Sequence, residues 1–198
     1  AVDAAEVEQH IVNEVEAANF SIFNASRSEP TYAGMGTTLV VAWFYDNRMS
    51  VGHVGDSRLY RLRGDKFEQL TRDHSLLQEQ LDNGMITPEE ARFSGNRNLV
   101  TRALGVEPVV DVEIHDFAVA PGDIVLLCSD GLNDMVDDHD IGLTLQALGG
   151  NLQLAADHLV QMANENGGRD NISVILVKVL GDFASRRGWW QRLLARLK

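Results

Sequence analysis

Short segments rich in β-forming residues, separated by tight turns, are the feature that most limits how this chain can fold. Residues 37–45 form a nearly continuous run of β-branched, aliphatic and aromatic side chains, which predicts a strand buried on both faces of a sheet. Three more strands, at 49–54, 57–62 and 67–70, follow turn-forming residues such as Asp46-Asn47 and Gly55-Asp56. Short strands joined in this way predict an antiparallel meander.

Helices are predicted on either side of these strands. Apolar residues three or four positions apart predict a helix from residue 3 to about 26, and two further helices at 140–148 and 152–164. Additional strands are expected at 109–119, 124–128 and 172–179. The order of helix, strands, helices and strand is typical of an α+β fold with a mostly antiparallel sheet.

Two segments differ in character from the rest. Residues 73–105 contain two short predicted helices, after Ser75 and at Thr87-Pro88, and a polar, irregular stretch at 92–98, and we interpret the block as an insertion packed on the sheet. Residues 181–198 are a tail whose last part, 186–198, is basic and amphipathic, with a face formed by Trp190, Leu193, Leu194 and Leu197. The main domain is therefore expected to span residues 1–180.

Charge and cysteine content exclude several classes of protein. Of the 17 cations, five lie in residues 186–198, which contain no acid, so the net charge of -12 combines a strongly acidic body with a basic tail. An acidic body argues against nucleic-acid binding, which needs clustered cations. One cysteine, Cys128, excludes an internal disulfide, and there is no run of about 18 apolar residues. We expect a cytoplasmic protein.

Three aspartates lie beside predicted strands, next to glycine or in a turn. They are Asp56, Asp130 and Asp170. Strand ends hold a carboxylate rigidly, and several converging carboxylates repel one another unless a cation lies between them. Mg²⁺ and Mn²⁺ prefer such oxygen ligands, whereas no cysteine or histidine has the spacing of a zinc site. The alternative is that each aspartate is only a turn residue accepting backbone hydrogen bonds.

Other polar residues near these aspartates have structural interpretations. His53 and His74 are interpreted as structural hydrogen-bonding groups, because geometry must identify a general acid. Arg58 and Arg102 are candidates for phosphate contacts, but we favour pairing with the acidic domain's own carboxylates. Cys128, inside an apolar strand, is interpreted as a core residue.

Eight short motifs occur in a fixed order between residues 34 and 179. They are MGTT at 35–38, GHVGDSR at 52–58, LTRDHS at 70–75, GMITPEEA at 84–91, NLVTRALG at 98–105, DIVLLCS at 123–129, DGLND at 130–134 and RDNIS at 169–173. In sequence and order they resemble the metal-dependent protein phosphatases (protein phosphatase 2C type), above all the compact bacterial members.

The resemblance implies a fold, a cofactor and a reaction. The fold would be a central antiparallel β-sandwich flanked by helices on both faces, with a flap formed by residues 73–105. Asp130 and Asp170 would match core metal ligands, and Asp56 a ligand of a further, weaker metal, so that the complete domain would bind two or three Mn²⁺ or Mg²⁺ ions. The reaction would be hydrolysis of phosphoserine or phosphothreonine on proteins by a metal-activated water, without a side-chain nucleophile.

The sequence also departs from that family. Its opening strands, with a phosphate-binding arginine and an Asp-Gly-Met-Gly-Gly or Asp-Gly-His-Gly-Gly motif whose aspartate bridges the metals, have no counterpart in these 198 residues. We therefore expect an N-terminally truncated domain with little or no phosphatase activity by itself. The alternatives are a non-catalytic phosphatase-like regulatory or partner-binding domain, and a sporulation-type or stress-type phosphatase acting on a small anti-anti-sigma protein.

The partners expected for an enzyme of this kind are phosphorylated proteins and an opposing serine/threonine kinase, with no nucleic acid. Two interpretations of residues 186–198 stay open. The segment lies on an anionic membrane surface, which would place the protein at the inner membrane face, or it docks on the acidic domain or a partner.

Overall fold

A computed structural model describes residues 3–91, 94 and 99–185, so the amphipathic segment 186–198 and the residues at 92–93 and 95–98 lie outside the described part. The described helices are α1 Ala4–Ser28, α2 Leu76–Asp82, α3 Pro88–Ala91, α4 Asp130–Asn133, α5 Asp138–Leu148 and α6 Leu152–Glu165. The described strands are β1 Leu39–Tyr45, β2 Arg48–Val54, β3 Arg58–Arg63, β4 Lys66–Gln69, β5 Glu113–Ala118, β6 Ile124–Cys128 and β7 Val174–Lys178.

The described strands form two antiparallel sheets, with strand orders β1-β2-β5 and β4-β3-β6-β7. Their inner faces share one apolar cluster, to which Met49 and Val51 contribute from the first sheet and Leu59 and Val125 from the second. The predicted sandwich is confirmed, but the prediction of a single meander is wrong. The Gly55-Asp56 turn carries the chain from β2 in one sheet to β3 in the other, and sequence pattern alone does not identify which strands pair.

Helices cover the outer face of each sheet. Val7, Ile11 and Val15 of α1 are buried and pack on the three-stranded sheet. Helices α5 and α6 bury Ile141 and Leu159 against the four-stranded sheet. The prediction of helices on both faces is therefore confirmed.

Strand β1 is not the doubly buried strand that its apolar run predicts. It pairs only with β2 and so forms one edge of its sheet, and Trp43 is 41% exposed. The apolar run indicates a strand, but an edge position leaves part of its outer face in contact with solvent.

The insertion at 73–105 contains α2 and α3. Ser75 caps α2 by accepting the Gln78 N–H, and Thr87 exchanges hydrogen bonds with Glu90 as in a capping box. Isolated bridges from Ser75 to Val100 and from Leu104 to Thr37 connect the segment to the domain. None of the helices in the described ranges combines the length and the apolar character that crossing a bilayer requires.

Candidate metal centre

A cavity of about 220 Å³ lies between the ends of the strands and the insertion. Four aspartates line it, namely Asp56, Asp73, Asp130 and Asp134. Its lining also includes apolar residues of α2 and α3, namely Leu77, Leu81, Pro88 and Ala91. The cavity therefore combines several carboxylates with apolar side chains from the insertion.

Asp56 reaches this cavity through the turn that joins the two sheets. Gly55 has φ +105°, and a Cβ there would lie 2.4 Å from the Thr38 Cγ2, so both backbone conformation and space require glycine. Asp56 itself is only 8% exposed. Burial, and next the neighbouring carboxylate of Asp130, raise its pKa to about 6. The turn thus holds a carboxylate in a place where its negative charge is poorly compensated.

Asp130 and Asp170 lie on two loops that contact each other. Asp130 begins α4 directly after β6, and Asp170 precedes β7, the strand that pairs with β6. A Cβ on Gly131 would lie 2.4 Å from the carbonyl oxygen of Asn171, and the Ser129 hydroxyl donates to that same oxygen at 2.9 Å. The Asp170 carboxylate accepts the Asn171 N–H at 2.7 Å. Asp170 is exposed and, among the described residues, is not one of those lining the cavity.

Asp73, which sequence reasoning did not single out, is neutralised by Arg58. The Arg58 guanidinium donates to both carboxylate oxygens of Asp73, at 2.7–3.0 Å, and to the Tyr60 hydroxyl at 2.8 Å. Burial would lower the pKa of Arg58, but its bonds with Asp73 raise it. Arg102 likewise forms an ion pair with Asp111. The prediction that Arg58 and Arg102 pair with carboxylates of the domain is therefore confirmed.

The donor set of the cavity fits a hard divalent cation. Its ligand atoms are carboxylate oxygens, which Mn²⁺ and Mg²⁺ prefer. Arg58, the cation among the described residues that line the cavity, is already engaged by Asp73, and the raised pKa of Asp56 marks a carboxylate whose charge needs a partner. Asp56 and Asp130 therefore offer suitable oxygen ligands inside the cavity, whereas the Asp170 carboxylate lies on the adjoining loop outside its lining.

A second polar cluster joins two histidines that the sequence predicts to be structural, His53 and His74, to Glu113, which sequence reasoning did not single out because it is distant in the chain. One ligand-type atom from each of His53, His74 and Glu113 lies within 4.8 Å of the others. The His74 Nδ1 accepts the Gly55 N–H, so its ring lone pair is already used. His53 Nε2 donates to the Arg72 carbonyl oxygen at 2.8 Å, and burial lowers its pKa. The interpretation of both histidines as structural hydrogen-bonding groups is confirmed.

The chain is similar to bacterial phosphatases over most of its length. It is 39% identical over 175 residues to the serine/threonine phosphatase Stp of Listeria innocua, covering 88% of this chain and 69% of the relative. The crystal structure of Stp1 from Staphylococcus aureus superposes with a TM-score of 0.86 at 32% identity, over 91% of this chain and 71% of that one.

A further solved structure, the catalytic domain of the phosphatase PstP with two manganese ions, gives a TM-score of 0.77 at 38% identity, over 86% of this chain and 70% of that one. Residues 85–180 also match the family described as Stage II sporulation protein E (SpoIIE). Together with the motifs, the two-sheet fold and the acidic cavity, these similarities mean that the chain belongs to the metal-dependent serine/threonine protein phosphatases, whose cofactor is Mn²⁺ or Mg²⁺.

Proposed function

We propose that residues 1–180 belong to a domain that carries out Mn²⁺- or Mg²⁺-dependent hydrolysis of phosphoserine and phosphothreonine on proteins, with Asp56, Asp130 and Asp170 as metal ligands, and that these residues alone have little or no activity. The observation that carries the proposal is the convergence of Asp56 and Asp130 on one cavity, with Asp170 on the loop against Asp130. Carboxylates arranged in this way are stable together when cations lie between them.

Each part of the cavity has a role in this proposal. Metal ions bound there would supply an activated water and a positive field for the phosphate. Asp130 and Asp170 hold their positions because β6 and β7 pair directly. Arg58 neutralises Asp73, which limits the negative charge that would repel a phosphate. Leu77 and Leu81 add apolar side chains to the lining, which limits access of bulk water.

The finer assignments follow from this function. Phosphorylated proteins are the substrates of the family, and we propose that a serine/threonine kinase supplies them to this chain. A single buried cysteine, Cys128, is consistent with a cytoplasmic location. We further propose that 181–198 is a C-terminal tail, whose first part is bonded to the Asp46-Asn47 turn and whose cations contact either the acidic domain or the inner membrane face.

Metal binding by the 198-residue chain is the first test. Calorimetric titration with Mn²⁺ should give binding that Asp130→Asn and Asp170→Asn each weaken by at least about tenfold, since each removes a charged ligand. Asp140→Asn, an exposed carboxylate on α5, is the matched control. Equal Mn²⁺ affinity in the wild-type chain and both site variants would overturn the ligand assignment.

Hydrolysis is measured in parallel, as phosphate release from a phosphothreonine peptide with Mn²⁺. If the wild-type chain releases phosphate slowly and Asp130→Asn releases none, the result supports an enzyme. The second candidate is a non-catalytic phosphatase-like regulatory or partner-binding domain. Peptide binding with Mn²⁺ but no phosphate release, even at high protein concentration, would favour that candidate for this chain.

A further inference from the structure

We infer that His74 is a positioning residue for Asp56: oriented by Glu113, its ring holds the Gly55-Asp56 turn in the conformation that presents the Asp56 carboxylate to the cavity. This inference rests on the proposed role of Asp56 as a metal ligand. His74 does not line the cavity. Its contribution is made through the backbone of the turn.

Two hydrogen bonds join His74 to the turn. The Gly55 N–H donates to the His74 Nδ1 at 3.1 Å, and the His74 N–H donates to the Gly55 carbonyl oxygen at 3.0 Å. His74 is 6% exposed, so water does not readily replace these bonds. Gly55 therefore has both of its backbone polar groups satisfied by one residue from a distant part of the chain.

The ring of His74 is fixed in orientation and tautomer. Because Nδ1 accepts the Gly55 N–H, the proton is on Nε2, which donates to Glu113 at 3.0 Å. His115 donates to the other Glu113 oxygen at 2.8 Å, and His53 stacks on the His74 ring at 4.6 Å between centroids. Burial alone would raise the pKa of Glu113, but the bonds from His74 and His115 lower it, which keeps Glu113 an acceptor.

The turn needs this support because electrostatic repulsion acts on it. Asp56 lines the same cavity as Asp130, Asp73 and Asp134, and like charges that share a site repel one another. On the other side of the turn, Thr38 lies against Gly55, and its hydroxyl bonds that of Ser57 at 2.9 Å. Held between Thr38 and His74, the turn cannot rotate to move Asp56 away from the other carboxylates.

Two substitutions at position 74 separate the two bonds of the ring. His74→Asn keeps an acceptor near the position of Nδ1 for the Gly55 N–H but cannot reach Glu113. His74→Gln reaches Glu113 but leaves the Gly55 N–H without its acceptor. Two quantities are measured for each chain: the hydrogen-exchange rate of the Gly55 amide without metal, and the Mn²⁺ dissociation constant by calorimetry. Thermal midpoints of the metal-free chains report any general loss of structure.

We expect His74→Gln to speed exchange at Gly55 and to weaken Mn²⁺ binding about tenfold, the size typical of residues that orient metal ligands. His74→Asn keeps the acceptor but loses the bond to Glu113 that orients it, so it should change both values less than His74→Gln does. Equal Mn²⁺ affinity in wild type and His74→Gln would overturn the inference, as would equal weakening by both variants.

Glu113→Ala is the second variant, for the case in which His74→Gln does not fold. It frees the His74 ring to rotate and should weaken Mn²⁺ binding several-fold. Unchanged Mn²⁺ affinity in Glu113→Ala would overturn the inference.

The proposed function and this inference fail in different ways. A wild-type chain that binds no Mn²⁺ overturns the metal function, and with it the role of His74 toward a ligand, while Gly55 exchange still reports whether His74 holds the turn. A wild-type chain that binds Mn²⁺ with the affinity of His74→Gln overturns only the role of His74.

Discussion

At the scale of single residues, the carboxylates that line the cavity differ in how far their negative charge is compensated. Asp73 is bonded on both oxygens by Arg58. Asp56, only 8% exposed, faces other carboxylates instead, and its pKa rises from 3.8 to about 6 as a result of burial and of Asp130. The free energy of unfolding of the metal-free chain is therefore reduced by the charge that Asp56 carries near neutral pH.

Asp56→Asn should stabilise the metal-free chain. The folded pKa lies above the unfolded one, so the folded state binds more protons between about pH 4 and 6 and loses stability as pH rises through that range. Removing the charge should raise the free energy of unfolding by about 1–3 kcal/mol above pH 6 and by little at pH 4. Urea denaturation in EDTA across this range measures the effect, with Asp140→Asn as control, and a gain that is independent of pH would contradict it.

Sequence reasoning identified some residues of the site and missed others for a physical reason. Asp56 and Asp130 could be predicted because each follows an apolar strand and adjoins glycine, features that are local in sequence. Asp73 could not, because its importance depends on Arg58, a partner that only the folded chain brings near. His74 is predicted to be structural, but its partners, Gly55 and Glu113, could not be predicted for the same reason. Local pattern predicts where a carboxylate is held but not what surrounds it.

At the scale of secondary structure, β6 is the element that most directly positions the cavity. It lies between β3 and β7, all five of its residues are buried, and it leads straight into Asp130. Its predicted bounds, 124–128, are confirmed, because a strand inside a sheet covered on both faces is apolar throughout. An apolar run also predicts that β1 is buried on both faces, but that prediction is wrong because β1 lies at the edge of its sheet.

Leu126→Ala should lower the free energy of unfolding by about 2–5 kcal/mol, because it removes buried methyl groups and leaves a cavity. Leu126 is fully buried beneath α5 and α6. Ile175→Ala on the neighbouring strand β7, where the side chain is 60% exposed, should cost less than about 1 kcal/mol. Urea denaturation of both variants provides the comparison, and similar losses would contradict this account of the core.

At the scale of the whole molecule, acidity and metal binding are linked. The chain carries 29 acids against 17 cations, and several of the acids converge on one cavity. A ligand that binds only the folded state stabilises it by mass action, by about 2.7 kcal/mol at a concentration of one hundred times its dissociation constant.

Saturating Mn²⁺ should therefore raise the thermal midpoint of this chain by roughly 5–10 °C, and EDTA should reverse the shift. NaCl at the same ionic strength is the control for general screening of the negative charge. Asp130→Asn should lose most of the Mn²⁺-specific shift while keeping the response to NaCl. A shift of the same size in NaCl, or in the Asp130 variant, would contradict specific binding.

The direct contact between Gly131 and the backbone of Asn171 has a consequence for ion choice. It brings the loops of Asp130 and Asp170 together through close packing of main-chain atoms, and the Ser129 hydroxyl adds a hydrogen bond to the Asn171 carbonyl oxygen. Mn²⁺ and Mg²⁺ bind oxygen at shorter distances than Ca²⁺, which also accepts more ligands. If both aspartates bind metal as proposed, the spacing of these two loops contributes to discrimination by ionic radius, and a larger residue at position 131 would change that spacing.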